Sequence, residues 1–277
     1  MTDLALAHPH RPARQSGLFD AEPLFAATGL LIGLSLAVTL TAMAVDPREF
    51  MGENVWVKPV KFQIALCLYL LTLAFFARWL PDGMTGRRVY RLYSGMVVLA
   101  IILELIWIGG AAMFGVASHF NVANPLLQAI YPLMGAFAVL LTSATLVYGI
   151  AIWRNRRTGL PPALHLSISL GLVLTFVLTL VVAGTLASRS GHLIGVPVSG
   201  ATVPILGWSR EVGDLRVSHF FATHALHFLP VAALLARALL PQRLAMPAVW
   251  IAVILFTALV AASFAGALAG LPLIPEF

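Results

Sequence analysis

Seven separate apolar blocks run through this chain of 277 residues, and they constrain its fold more than any other feature. About 20 apolar residues in a helix cross a hydrocarbon core of roughly 30 Å. Charged residues make up 10% of the chain, far below the ~25% of a soluble domain. The sequence therefore predicts an all-α, polytopic integral membrane protein with seven transmembrane helices in a lipid bilayer. The blocks span 24–45, 60–80, 92–117, 126–153, 163–186, 219–240 and 248–270.

The basic residues between the blocks predict how the helices are oriented. With seven spans, eleven lysines and arginines fall on the side of the amino terminus and six on the other side, which accounts for all 17. Positive charge concentrates in cytoplasmic loops. We therefore predict a cytoplasmic amino terminus and an extracytoplasmic carboxyl terminus. The net charge of +6 is explained by these loops, so we expect no nucleic-acid partner.

The polar segments predict one domain with a tail and a long loop. Residues 1–23 are predicted to be a disordered cytoplasmic tail, and 24–277 to be a single seven-helix transmembrane domain. An alternative is a secretory signal, because 41–44 resembles a small-residue cleavage site, although the preceding tail is long and contains acidic residues. The extracytoplasmic loop at about 187–218 is long enough to suggest a function of its own. We expect it to fold over the outer face.

Three histidines open the sixth block, in the run Ser218-His-Phe-Phe-Ala-Thr-His-Ala-Leu-His-Phe228. At about 100° per residue, His224 and His227 lie roughly 140° and 80° round the helix from His219, so all three share one face. Ionisable groups within spans usually face the bundle interior or a wet cavity. We expect His219 and His224 to meet His119 in one polar pocket under the 187–218 loop.

Glu104 is the only carboxylate deep within an apolar block. It lies roughly 20 Å from the outer end of the predicted third helix. His119 falls within about 60° of it on the wheel of that helix, if the helix continues. We expect Glu104 to face inward. Two roles stay open: a neutral hydrogen-bonding group that holds helices together, and a group that carries a proton or orients a ligand.

Other polar residues are expected near the same surface and would support the site. Lysines at the start of a span can extend to the headgroups, and amides can form interhelical hydrogen bonds. Binding of an anionic substrate by the lysines is a further possibility. The supporting residues are Lys58, Lys61, Gln63, Asn121, Gln128, Asp214 and Arg216.

Three short motifs carry a resemblance to a known family. They are Trp56-Val-Lys-Pro-Val-Lys-Phe62, Ser118-His-Phe-Asn121 and Gly213-Asp-Leu-Arg-Val-Ser-His-Phe220. The chain resembles a family of uncharacterised bacterial multi-pass inner-membrane proteins, over the region from the second span to the sixth. The resemblance implies the bacterial inner membrane as location and implies no activity. From this resemblance we expect glutamine as often as histidine at position 227, so the resemblance does not require a metal ligand there.

The sequence leaves three classes of function open. In the first, imidazoles bind haem b or copper, and the protein transfers electrons to a redox or membrane-complex partner. Cofactor-binding candidates are His119, His219, His224 and His227, and metal-binding candidates are His119, His192, His219 and His224. In the second, the histidines and Glu104 form a proton or ion pathway. In the third, the polar groups only hold together a bundle for assembly or partner binding.

Several familiar activities lack their signature in this sequence. The last block contains no lysine for a retinal Schiff base, and the zinc-protease, P-loop and Gly-x-Ser-x-Gly motifs are missing. Cys67 is the only cysteine, so no intramolecular disulfide or cysteine-ligated cluster can form. No sequence feature predicts an oligomeric state.

Overall fold

The computed structural model describes residues 17–50, 52–119 and 125–276, and most of these residues are helical. A short helix, α1, is followed by seven long ones. The 3-10 turn Ala77–Trp79 continues the third helix. The helices are α1 Leu18–Ala21, α2 Pro23–Val45, α3 Val57–Phe76, α4 Arg88–Phe114, α5 Pro125–Arg154, α6 Pro162–Ala187, α7 Leu215–Leu239 and α8 Gln242–Leu268.

Helices α2 to α8 are each long and apolar enough to cross a membrane, which confirms the predicted all-α architecture with seven apolar helices. Many large apolar side chains point outward; Leu34 and Val38 of α2 are 72% and 74% exposed. Such an exposed apolar surface is expected where lipid surrounds a bundle. The buried apolar residues form two main cores: α2 to α7 share one, and α6, α7 and α8 share another.

Helix α4 ends earlier than the apolar pattern predicted. Its carboxyl cap, Gly115, has φ +65°, in the left-handed region that glycine adopts without steric penalty. The backbone N–H groups of Gly115 and Val116 donate to carbonyls of the last turn. The predicted span 92–117 is therefore too long at its end, and the helical wheel that placed His119 above Glu104 does not apply. His119 lies in the segment after the helix.

The two ends of the segment 188–214 are joined by a short pair of strands. Its strands β3 (Leu193–Ile194) and β4 (Gly213–Asp214) pair antiparallel, with Leu193 opposite Asp214. Two further short strands, β1 (Glu49–Phe50) and β2 (Glu53–Asn54), pair in the α2–α3 connection. Helix α7 begins at Leu215 rather than at 219, because the Asp214 side chain accepts a hydrogen bond from Arg216 N and caps the helix.

The bundle has two ends, which we name from their segments. The loop face carries 46–50, 52–56, 115–119 and 188–214, and the tail face carries 17–22, 80–87, 155–161 and 240–241. At the tail face the folded region begins before the predicted boundary at 24, since Glu22 is only 4% exposed. The rest of the predicted tail, 1–16, lies outside the described residues.

Candidate functional site

A lysine and a histidine meet just beneath the loop face. Lys58, at the start of α3, places its Nζ atom 3.1 Å from Nδ1 of His119. The ammonium has only protons to donate, so Nδ1 of His119 accepts and the ring proton resides on Nε2. Both side chains are half-buried. The Ser118 hydroxyl also lies 3.0 Å from the same imidazole nitrogen.

The loop after α4 holds His119 in this position. The indole N–H of Trp107 donates to Ser118 O at 2.6 Å, which folds the loop back against α4. The His119 ring then packs against Phe62 of α3 and edge-on against Tyr131 of α5. Burial, followed by the repulsion of the nearby Lys58 ammonium, lowers the pKa of His119 from 6.5 to about 3. The imidazole is therefore neutral at physiological pH.

Glu104 faces the interior of the bundle, as the sequence predicted, and is 5% exposed. It lies ten residues before the end of α4, about 15 Å along the helix axis. The Lys58 ammonium is close enough to interact electrostatically with the carboxyl group. The ion pairs with an N···O distance of 4.0 Å or less among the described residues do not include Lys58 with Glu104. Lys58 thus connects Glu104 electrostatically with His119.

The α7 histidines form a separate line of hydrogen bonds. Nδ1 of His224 lies 3.3 Å from Nδ1 of His227, and Nε2 of His227 lies 3.0 Å from the Thr72 hydroxyl of α3. His219, further along α7 toward the loop face, has a buried Nδ1 atom with no partner among the described residues. His224 interacts electrostatically with both other histidines. The three imidazoles therefore follow one another into the bundle.

The Lys58–His119 contact and the His227–Thr72 contact lie at different depths. Lys58 and Thr72 are 14 residues apart on α3, which corresponds to about 21 Å along the helix. Within the described part of the chain, no hydrogen bond or ring contact joins His119 to His219 or His224. A single pocket shared by these three residues stays a prediction, and the observed side-chain bonds of His119 and His224 are made with other partners.

Three residues that were predicted to support the site form contacts within the loop face: Asp214, Arg216 and Lys61. Asp214 is 2% exposed and accepts hydrogen bonds from Arg216 Nε and Nη2 and from Ser209 N. Arg216 also donates to Gly207 O. His192, beside this pair, has a lowered pKa because of burial and then the Arg216 charge. Lys61 is exposed and lies 4.0 Å from Glu53.

The predicted amide residues separate into three cases. Gln63 of α3 donates to the Ser35 hydroxyl of α2 at 2.8 Å, and its Oε1 atom is buried without a partner among the described residues. Gln128 is exposed near the start of α5. Asn121 lies outside the described residues. Of the amide residues that the structure describes, Gln63 thus forms the expected interhelical hydrogen bond.

The predicted metal ligands are not gathered into one metal-binding group. In the part of the chain that the structure describes, no three histidine, cysteine, aspartate or glutamate side chains are arranged to hold a metal ion. His119, His192, His219 and His224 each lie in the surroundings given above. Binding of haem b or copper stays a prediction.

A second buried polar group was not predicted from the sequence. Tyr90 donates to Glu22 at 2.5 Å, and the Tyr90 and Tyr148 hydroxyls are 2.6 Å apart. The only available signal was the presence of a carboxylate directly before the first span and of tyrosines within two others. Thr72 was likewise missed, because a threonine in an apolar span is unremarkable by itself.

The chain was compared with known proteins by sequence and by structure. No protein-family model, no curated protein and no solved structure matches it.

Proposed function

We propose that this protein translocates protons across a membrane, by itself or coupled to another solute. The observation that supports this proposal is the line from His224 through His227 to Thr72, which links α7 to α3 inside the bundle. Neutral imidazole has one nitrogen that donates and one that accepts. Such a line can exist with its hydrogen bonds pointing in either of two directions.

The two directions differ by the passage of one proton. In the first, His224 Nδ1–H donates to His227 Nδ1, and His227 Nε2–H donates to Thr72 Oγ1. When a proton binds His224 Nε2, the Nδ1 proton can move to His227, whose Nε2 proton then moves on toward Thr72. Afterwards His227 Nδ1–H donates back to His224, and the Thr72 hydroxyl donates to His227. Each imidazole gains one proton on one ring nitrogen and loses one from the other, and Thr72 releases its own hydroxyl proton to water as it accepts the proton from His227. The line therefore relays one proton without net change.

Glu104 and His219 would supply protons to the His224–His227–Thr72 line. Glu104 is a buried carboxyl group within electrostatic range of Lys58, and buried ionisable groups in membrane spans commonly mark proton paths. His219 lies between the loop face and His224, and its unpartnered Nδ1 atom is suited to hydrogen-bond water. Glu104 and His219 are the groups we assign to proton uptake.

Reconstitution into lipid vesicles tests the proposal. Vesicles that contain a pH-sensitive dye should equilibrate an imposed pH gradient faster with the protein than without it. Glu104→Gln and His227→Leu should both abolish the increase, because glutamine cannot carry a proton and leucine breaks the line. Glu49→Gln, in an exposed carboxylate, and His165→Gln, in a histidine that contacts Ile152 O elsewhere, are the matched controls.

Two results would overturn the proposal. One is a wild-type rate equal to that of empty vesicles under both polarities of the gradient and with candidate co-solutes. The other is an undiminished rate for His227→Leu. A haem band in the visible spectrum of purified protein, or bound copper, would instead favour electron transfer. A colourless, inactive protein would favour a role in assembly.

We further propose the bacterial inner membrane as location, with the tail face cytoplasmic. The distribution of basic residues supports this orientation, and the location is what the family resemblance implies. Reporter fusions should be active in the cytoplasm after Arg88 and Arg156, and active in the periplasm after Gly200 and at the carboxyl terminus. A periplasmic signal at Arg156 would contradict the orientation.

A further inference from the structure

Glu22, Tyr90 and Tyr148 form a hydrogen-bonded chain at the tail face, far from Lys58 and His119. Glu22 lies directly before α2, Tyr90 is in the first turn of α4, and Tyr148 is in the last third of α5. Three segments distant in sequence therefore bring one carboxylate and two phenols together. Tyr148 is fully buried, Tyr90 is 6% exposed and Glu22 is 4% exposed.

While the Glu22 carboxylate is ionised, the hydrogen bonds among these three side chains run in one direction. The single hydroxyl proton of Tyr90 is donated to Glu22 Oε2, so Tyr90 must accept from Tyr148 across the 2.6 Å contact. Protonation of Glu22 would allow the carboxylic acid to donate to Tyr90, and Tyr90 to donate to Tyr148. The chain therefore has two directions, like the His224–His227–Thr72 line.

No cation neutralises the Glu22 carboxylate within residues 17–50, 52–119 and 125–276, since no ion pair there includes it. The titratable groups around the chain are Tyr90 and Tyr93 of α4, Tyr148 of α5 and Tyr69 of α3. Asp20 of α1 is exposed and bonds to Gly17 N. Burial raises the pKa of Glu22 above its ordinary value, and the hydrogen bond from Tyr90 opposes that rise.

We infer that Glu22, Tyr90 and Tyr148 form a second proton-binding site, which exchanges protons between the bundle interior and the tail face. This inference rests on the proposed proton translocation. When Glu22 is protonated, the Tyr90 proton moves to Glu22 while the Tyr148 proton moves to Tyr90. Tyr148 regains a proton from the interior, and Glu22 then releases its proton to water at the tail face. Each hydroxyl ends with one proton, and the net result is the delivery of one proton.

The position of Tyr69 relates this site to the histidine line. Tyr69 lies one helical turn from Thr72 on α3, and it interacts electrostatically with Tyr148. The 69–72 segment of α3 therefore contacts His227 of α7 through Thr72, and contacts α5, the helix that carries Tyr148, through the hydrogen bond from Tyr69 to Leu141 O. This placement favours a site that receives protons from the histidine line over an isolated structural contact.

Infrared difference spectroscopy tests the site independently of transport. On titration of the purified protein in lipid, a protonated carboxyl band should appear with a midpoint above 4.5, the ordinary value for glutamate. Glu22→Gln should remove this band. Tyr90→Phe should raise its midpoint, because the carboxylate loses a hydrogen bond. A titration without a carboxyl band that Glu22→Gln removes would overturn the inference.

Transport rates provide the second measurement. Glu22→Gln, Tyr90→Phe and Tyr148→Phe should each slow proton transport by roughly 10²-fold or more, the contribution of a positioned proton-transfer group. Tyr93→Phe is the matched control, because Tyr93 is bonded to Ser143 rather than to this chain. Glu22→Asp keeps a carboxyl group and should retain part of the rate if the glutamine variant does not fold.

The two proposals fail in different ways. If the wild type moves no protons although the Glu22 band titrates as described, translocation is wrong and the exchange role falls with it, while the carboxyl site remains. If the wild type and the Tyr93→Phe control move protons and Glu22→Gln does so at the same rate, translocation stands and the second site is wrong.

Discussion

The Nζ atom of Lys58 lies 3.1 Å from Nδ1 of His119, a contact between residues 61 positions apart in the sequence. This contact fixes the imidazole as the acceptor and places a positive charge between His119 and Glu104. Protonation of the imidazole beside the ammonium would disrupt it, because neither ring nitrogen could then accept a hydrogen bond.

Removal of the Lys58 charge should make His119 easier to protonate. In Lys58→Met the repulsion between the ammonium and the imidazolium is lost, so the pKa of His119 should rise from about 3 toward 6.5, while burial still holds it below that value. Nuclear magnetic resonance of histidine labelled in the ring measures this. Lys61→Met, in an exposed lysine, should leave the His119 signal unchanged. An unshifted signal in Lys58→Met would contradict the contact.

Acid should destabilise the fold partly through His119. Between pH 6.5 and about 3 the unfolded chain binds a proton on this imidazole and the folded chain does not. Stability therefore falls as the pH falls through that interval. His119→Asn, which cannot take up the proton, should show a shallower loss. Thermal unfolding in detergent across the interval measures the two slopes, and equal slopes would exclude His119 as a contributor.

The end of α4 should depend on Gly115. Alanine at φ +65° adopts the left-handed conformation at a cost of about 1–2 kcal/mol, so Gly115→Ala should destabilise the protein and displace the loop that carries His119. Gly109→Ala is the matched control, since Gly109 lies within α4 and an added Cβ there meets no atom within 4 Å. Equilibrium unfolding in denaturant measures both. Equal stabilities would contradict the role given to Gly115.

The 188–214 segment should loosen when Asp214 is replaced. Asp214→Ala removes the amino-terminal cap of α7 and the ion pair with Arg216. We expect a loss of about 2 kcal/mol in the free energy of unfolding, at the upper end for a helix cap. Limited proteolysis should also cut the segment faster. Asp82→Ala, in an exposed aspartate at the tail face, should change neither.

Some of the polar contacts were accessible from the sequence only as a set of candidates. Lys58, Glu104 and His119 were all identified as polar residues of one region, and Glu104 was correctly expected to face inward. Their pairing was not predicted, because the wheel argument assumed that α4 continues through Gly115. One glycine backbone angle decided this, and hydropathy does not report backbone angles.

The sequence by itself determined the number and type of the helices. Seven long apolar blocks must each form a helix in lipid, because a helix satisfies its own backbone hydrogen bonds. Hydropathy is a local property of each block, so the sequence reports it directly. Only the tertiary structure decided which polar groups meet. Glu22 and Tyr90 are 68 residues apart, and Thr72 and His227 are 155 apart. Such contacts depend on how helices pack and rotate against each other, and that packing is set by many side chains at once.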